Sequence, residues 1–201
     1  MSHTIEFIFD FASPNAYLAQ RVLNGIAQRT GATIRLVPCL LGGIFKLSGN
    51  QSPMAAFAAV KGKLAYENLE TERFIAKHGL HEFKLNPHFP VNTLTIMRGL
   101  IAAQRGGVAE AYVSIVSAAM WEQGEKMDDP AVIERVLRSG GLAGAALLAG
   151  TQDPEVKAEL LTNTENAVQR GVFGIPTFFV GNEMFFGKDR LGQLEELLAQ
   201  H

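Results

Sequence analysis

Phe7-Ile8-Phe9-Asp10-Phe11-Ala12-Ser13-Pro14-Asn15-Ala16-Tyr17-Leu18 reads as a strand that runs directly into the first turn of a helix. Ile5, Phe7, Phe9 and Phe11 are apolar at alternate positions, and Ile8 interrupts the polar alternation of Glu6 and Asp10. A strand apolar on both sides belongs in the middle of a sheet, with both faces buried. Ser13 then falls at the N-cap and Pro14 at the first helical position, where its missing N–H costs nothing and its fixed φ suits the turn. A hydroxyl is thereby placed at the positive end of a helix dipole, where an anion, and in particular a thiolate, is stabilised. Ser-Pro also starts helices that carry no function, so the pair alone assigns none.

Outward from this stretch, Ala19, Val22, Leu23 and Ile26 make one apolar face of a helix from Pro14 to about Arg29, ended by Gly31. Thr33 to Pro38 sets Ile34 and Leu36 against Arg35 and predicts a second strand, joined to the first by a right-handed parallel crossover. From Leu40 the paired Gly42-Gly43 and then Gly49-Asn50 predict a loop. Helices follow over Lys63 to His78, Asn92 to Arg105 and Ala109 to Gln123, and Asp129-Pro130 and Asp153-Pro154 are cap-plus-proline pairs that open two more. After Gly171 the period returns to two. Phe178 to Val180, a Gly181-Asn182 turn and Met184 to Phe186 predict a hairpin, and Asp189 to Ala199 a last helix. Strand-helix-strand, a helical insertion and strand-strand-helix together predict an α/β chain of thioredoxin-like layout. Residues 1–48 and 171–201 would form one discontinuous domain and residues 49–170 a helical insertion domain.

A chain of 201 residues suits one compact unit with an insertion. Its 47% hydrophobic and 19% charged residues are an ordinary globular composition, and a formal net charge of -2 gives no footprint for nucleic acid or an anionic membrane. Small-molecule chemistry remains. The first ten residues lack a basic region before their apolar run, no stretch is long enough to span a bilayer, and Cys39 is the only cysteine. These features predict a cytoplasmic protein without a disulfide. Cys39, between Pro38 and Leu40, reads as a small buried hydrophobe. His3, His78, His81 and His201 read as solvated, and no His/Asp/Glu group has the spacing of metal ligands.

In the predicted layout the start of the first helix and the loop before the third strand lie side by side at the ligand-binding end of the sheet, so Ser13 faces Ile175-Pro176. Only about one X-Pro bond in twenty is cis. We nevertheless expect a cis bond here, because it would expose the Ile175 backbone to a peptide-like ligand.

Four motifs carry a resemblance over essentially the whole chain. Asp10-Phe11-Ala12-Ser13-Pro14 with Tyr17-Leu18-Ala19, Gly42-Gly43-Ile44-Phe45-Lys46 with Gly49-Asn50, Phe173-Gly174-Ile175-Pro176-Thr177, and Phe186-Gly187-Lys188-Asp189-Arg190-Leu191 occur in that order. Together they resemble the 2-hydroxychromene-2-carboxylate isomerase and kappa-class glutathione transferase family, a DsbA-like branch of the thioredoxins. The resemblance implies a glutathione cofactor lying extended along Ile175 and Pro176, with its thiol directed at Ser13 as the catalytic residue. Ser13 takes the place of a reactive cysteine in the related disulfide oxidants.

Lys188, Asp189 and Arg190 are implied at the γ-glutamyl end, although Asp189 reads equally as a helix cap and Arg190 as a solvated charge. Asn50 and Lys61 are implied as further glutathione contacts, with Lys63 able to occupy the place of Lys61. Lys46, His88, Phe89 and Trp121 are implied around the substrate, the aromatics being open to a core role as well. The implied reaction is an isomerisation of an aromatic unsaturated acid, as in the degradation of aromatic compounds, by a homodimer. A kappa-like transferase or peroxidase that consumes glutathione, and a thioredoxin-like module that binds without turnover, are the other readings. One departure bears on the choice: the isomerases present an Asn-Arg pair where this chain has Ala55-Ala56, and Gly42-Gly43-Ile44 is nearer the kappa transferases.

Overall fold

The computed structural model describes residues 3–200, so His201 lies outside the described residues. In chain order the elements are β1 (Thr4–Phe9), α1 (Pro14–Thr30), β2 (Thr33–Pro38), α2 (Leu41–Ser48), α3 (Pro53–Phe57), α4 (Lys63–His78), α5 (Leu94–Arg105) and α6 (Ala109–Trp121). They continue with α7 (Pro130–Ser139), α8 (Gly144–Gly150), α9 (Pro154–Gln169), β3 (Thr177–Val180), β4 (Glu183–Phe186), a 3-10 turn over Lys188–Arg190 and α10 (Leu191–Ala199). The fold is thioredoxin-like, with a run of helices between the two halves of a mixed four-stranded sheet.

Strand order is β2-β1-β3-β4. β2 runs parallel to β1, with Ile5 opposite Ile34 and Phe7 opposite Leu36, while β3 is antiparallel to β1 and β4 to β3. The central place of β1 follows from its apolar residues: Ile5, Phe7, Ile8 and Phe9 are all fully buried. Their rings join into one aromatic row, Phe7 against Phe178 at 4.8 Å between centroids and Phe9 edge-on to Phe11 at 4.9 Å. The start of β1 departs from the expected two-sided burial. Thr4 is exposed and Glu6 half-buried, its carboxylate paired with Arg35 at 2.9 Å and Arg170 at 2.6 Å.

Helix starts lie where their caps predict. Asp129 and Asp153 cap α7 and α9 ahead of their prolines, and Ser13 caps α1 by accepting the Ala16 amide at 3.2 Å. Gly31, at φ 68°, ends α1 in the left-handed conformation that glycine adopts without strain.

The stretch from Leu40 is a correction. It forms α2, although Leu40 offers no side-chain cap. The cap comes from elsewhere: the Asp10 carboxylate accepts the Leu41 N–H at 2.7 Å. Gly43 serves packing rather than a turn, because a Cβ there would lie 3.0 Å from Thr164 of α9, while Gly49, at φ 71°, ends α2 and opens the loop expected at Gly49-Asn50. His3 and His78 are corrections too. Both are half-buried, His78 with its ring 4.5 Å from that of Phe74, while His81 is exposed as expected.

Candidate functional site

β1 ends at Phe9 and the chain turns through Asp10 to Ala12 into α1, which brings Ser13 against the loop before β3. The Ile175-Pro176 bond is cis. The Ser13 hydroxyl donates to the Ile175 carbonyl at 2.9 Å. Both residues are buried, Ser13 at 4% exposure and Ile175 at 7%. The Ile175 amide meets no acceptor among the described residues. This loop is held from three sides, by Thr177 Oγ1 donating to Gly174 O at 2.7 Å, Gly187 N to Pro176 O at 2.9 Å, and Asn50 Nδ2 to Phe173 O at 2.8 Å. The last two bonds draw the end of α2 and the 3-10 turn to the same loop. Beside it the partly exposed Phe173 and Phe186 rings lie 4.5 Å apart. A Cβ at Gly174 would come 2.8 Å from Phe186, so only glycine admits that ring over the backbone.

Asp10 is the residue that sequence reasoning passed over. It is fully buried and accepts the Ala12 N–H at 2.9 Å, the Thr93 hydroxyl at 2.7 Å and the Leu41 N–H at 2.7 Å. Burial pushes its carboxyl above the ordinary range, opposed by the donors from Leu41, Ala12 and Thr93. The signal was present in its position, since a carboxyl directly after a buried apolar strand must find donors. Which donors it finds depends on α2 and α5, far along the chain. Cys39, fully buried, has its thiol pushed up to about 12 by burial and by Asp10, which leaves it protonated and unreactive at neutral pH.

Trp121, expected at the substrate pocket, is instead fully buried. Its indole N–H donates to Phe11 O at 3.1 Å, so it acts on the site by holding the segment that leads to Ser13. Phe89 is half-buried against it at 6.1 Å between ring centroids, and His88 is exposed. Tyr17, one helical turn beyond Ser13, donates to Glu122 at 2.8 Å and stacks on Phe83, tying α1 to the end of α6. Lys46 and Lys61 are exposed. Lys63 is engaged with Glu67 and lies over the Phe57 ring, which leaves Lys61 as the freer of the two. Asp189 and Arg190 are exposed at the start of α10. Lys188 is buried, its ammonium 3.3 Å from Asp189 and over the Phe74 ring, in a cleft between α1, α4 and α10.

Ser13 and Asn50 thus bond to the loop that holds Ile175 and Pro176, with the Lys188–Arg190 turn beside it, whereas among the described residues no hydrogen bond joins Lys46, Lys61 or His88 to that loop. A buried hydroxyl at the start of a 17-residue helix, next to an unused backbone N–H, can hold an anion and an extended peptide at once. Among the described residues no group of His, Cys, Asp and Glu is placed to hold a metal ion, and no helix is long and apolar enough to cross a membrane.

A family model described as the DSBA-like thioredoxin domain matches residues 4–199. The chain belongs to this family. Within the DSBA-like family it is 34% identical to a 2-hydroxychromene-2-carboxylate isomerase of Sphingobium xenophagum, over 98% of this chain and 99% of that one. It is 27% identical to glutathione S-transferase kappa 1 of Homo sapiens, over 100% of this chain and 92% of that one. A solved structure of a 2-hydroxychromene-2-carboxylate isomerase superposes with a TM-score of 0.83 at 30% identity, covering 98% of this chain and 95% of that one. The relatives are thus enzymes by name, an isomerase and a glutathione transferase.

Proposed function

We propose that this DSBA-like chain is a glutathione-dependent isomerase acting on an aromatic unsaturated acid. The observation that carries the reading is the Ser13 hydroxyl at the start of α1, bonded across to the carbonyl before the cis proline. A redox thioredoxin needs its own reactive thiol, and this chain has one cysteine, buried and with its thiol pushed up to about 12. The sulfur must therefore come from outside. The residues fit glutathione: Ile175 offers a backbone N–H and C=O to an extended peptide, and Asp189 offers an exposed carboxylate to an ammonium. When bound, glutathione supplies a thiolate that adds reversibly to a conjugated carbon, so that a former double bond is free to rotate before the sulfur leaves.

Ser13 would donate a hydrogen bond to that sulfur, and the α1 dipole would lower the energy of its charge. Asn50 holds the Phe173 carbonyl and with it the loop that aligns the peptide. Phe173 and Phe186 supply an exposed aromatic wall. We read the protein as a homodimer, since α3 buries none of its side chains and Met54, Val60, Tyr66 and Leu69 are exposed in and around α3 and α4.

The second reading, a kappa-like transferase that consumes glutathione, is favoured by Ala55 and Ala56 in α3, which give an acid no partner. Free thiol decides between them. Loss of 2-hydroxychromene-2-carboxylate at constant thiol establishes the isomerase, and thiol consumption with 1-chloro-2,4-dinitrobenzene the transferase. Neither reaction leaves a binding module.

A further inference from the structure

The Ser13 hydroxyl has one proton, and in this structure that proton is committed. A carbonyl cannot donate, so the 2.9 Å contact between Ser13 Oγ and Ile175 O takes the hydroxyl hydrogen, while an oxygen lone pair of Ser13 accepts the Ala16 N–H. To donate to a sulfur, Ser13 must leave Ile175. The carbonyl it leaves belongs to a residue only 7% exposed, where an unpartnered acceptor is costly. The neighbouring Ile175 N–H, without an acceptor among the described residues, marks the same residue as an edge for strand-like pairing.

We infer that the Ile175 carbonyl selects the thiol: the Ser13 hydroxyl turns to a sulfur only when an amide N–H of the incoming ligand replaces it on that carbonyl. This rests on the glutathione reading above and adds to it a requirement on the thiol itself. Peptide thiols, with an N–H beside the sulfur-bearing carbon, are activated. Simple thiols such as 3-mercaptopropionate, which lack that N–H, leave Ser13 bonded to Ile175 and gain only the helix dipole. No bond of the protein is made or broken in the exchange. One hydrogen bond moves from Ile175 O to sulfur, one arrives from the ligand, and the thiol proton goes to solvent.

Three ligands test the exchange on wild type, Ser13→Ala and Ser13→Gly, the last retaining most of the N-cap preference in case the alanine variant folds poorly. They are glutathione, its ester analogue with oxygen in place of the cysteinyl N–H, and the sulfur-free tripeptide γ-Glu-Ala-Gly. The bound thiol is titrated by thiolate absorbance. Removing the hydroxyl should raise the pKa of bound glutathione by about one unit or more, a tenfold change, and move that of the ester by less than about 0.3 unit. Calorimetry with γ-Glu-Ala-Gly carries the opposite sign. If the ligand N–H replaces Ser13 on the carbonyl rather than taking its second lone pair, wild type releases the Ser13 bond with no sulfur to receive it, so both variants should bind the tripeptide about threefold or more tightly than wild type.

An ester thiol as sensitive to Ser13 as glutathione, or a tripeptide bound no more tightly by the variants, overturns the selection by Ile175. If the ester binds too weakly to titrate, the tripeptide affinities decide. Failure of glutathione itself to bind wild type removes the glutathione reading and this inference together. A Ser13-dependent glutathione pKa with Ser13-independent tripeptide binding removes this inference alone.

Discussion

Two helices of this protein begin against the same short segment and are met there by different chemistry. α2 starts on the Asp10 carboxylate, which takes its first N–H at 2.7 Å inside the core. α1 starts three residues later on the neutral hydroxyl of Ser13. One positive helix end is answered by a buried carboxyl of the chain itself, and the other by a group that can accept from the helix and donate to something else. Asp10 is thereby structural, tying β1, α2 and α5 together. Ser13 is the half able to receive an anion from outside.

The contrast breaks most visibly at Asp10. Asp10→Ala would strand the Leu41 N–H and the Thr93 hydroxyl in the core and should lower stability by about 3 kcal/mol in urea denaturation. A loss under 1 kcal/mol would mean that α2 does not depend on this cap. The pH dependence carries a distinctive sign. Because burial raises the native pKa of Asp10, the folded state holds its proton more tightly than the unfolded chain. Its contribution is then greatest at low pH and declines as pH rises through the native pKa. Wild type should gain stability relative to Asp10→Asn as pH falls from 7 towards about 4; a trend of the opposite sign would place a stabilised carboxylate there instead.

At the other helix end the effect belongs to function. Ser13→Ala should raise the bound glutathione pKa by about one to two units, about 1.4 kcal/mol each, and lower turnover in proportion, with a further loss of about 1 kcal/mol in stability from the missing cap. Equal thiol pKa values in the two proteins would end the proposed role of Ser13. Trp121→Phe probes the support between the two ends, since its indole bonds Phe11. We expect about 1 kcal/mol of destabilisation with a smaller, severalfold loss of turnover, read by denaturation and steady-state kinetics side by side. A collapse of turnover at unchanged stability would return Trp121 to the substrate.

Cys39→Ser should change least. The thiol donates to Asn163 O at 3.4 Å, a bond that a hydroxyl can also make, so stability should shift by less than about 1 kcal/mol and activity should still depend on added glutathione. Full activity in dialysed, glutathione-free enzyme, or its loss in a folded Cys39→Ser protein, would assign the sulfur chemistry to the wrong molecule.

What the sequence determined by itself was local or periodic. The apolar run from Ile5 to Phe9 placed β1 at the centre of the sheet, and Ser13-Pro14, Asp129-Pro130 and Asp153-Pro154 marked helix starts, because caps and prolines act within one turn. The meeting of Ser13 with the Ile175-Pro176 loop followed from element order, and the cis bond there was expected from the peptide-like ligand that it would admit. Tertiary structure decided what depended on partners distant in the chain. α2 is a helix where its glycines predict a loop, because Asp10 caps it from 31 residues away and Gly43 lets it close on Thr164. Trp121 is buried because Phe83, Phe89 and the Phe11 carbonyl surround its indole, a choice between core and pocket that an aromatic residue in a helix does not announce. The direction of the Ser13 proton was decided there as well. A hydroxyl turns towards whatever acceptor the fold brings within reach, and the Ile175 carbonyl arrives 162 residues later.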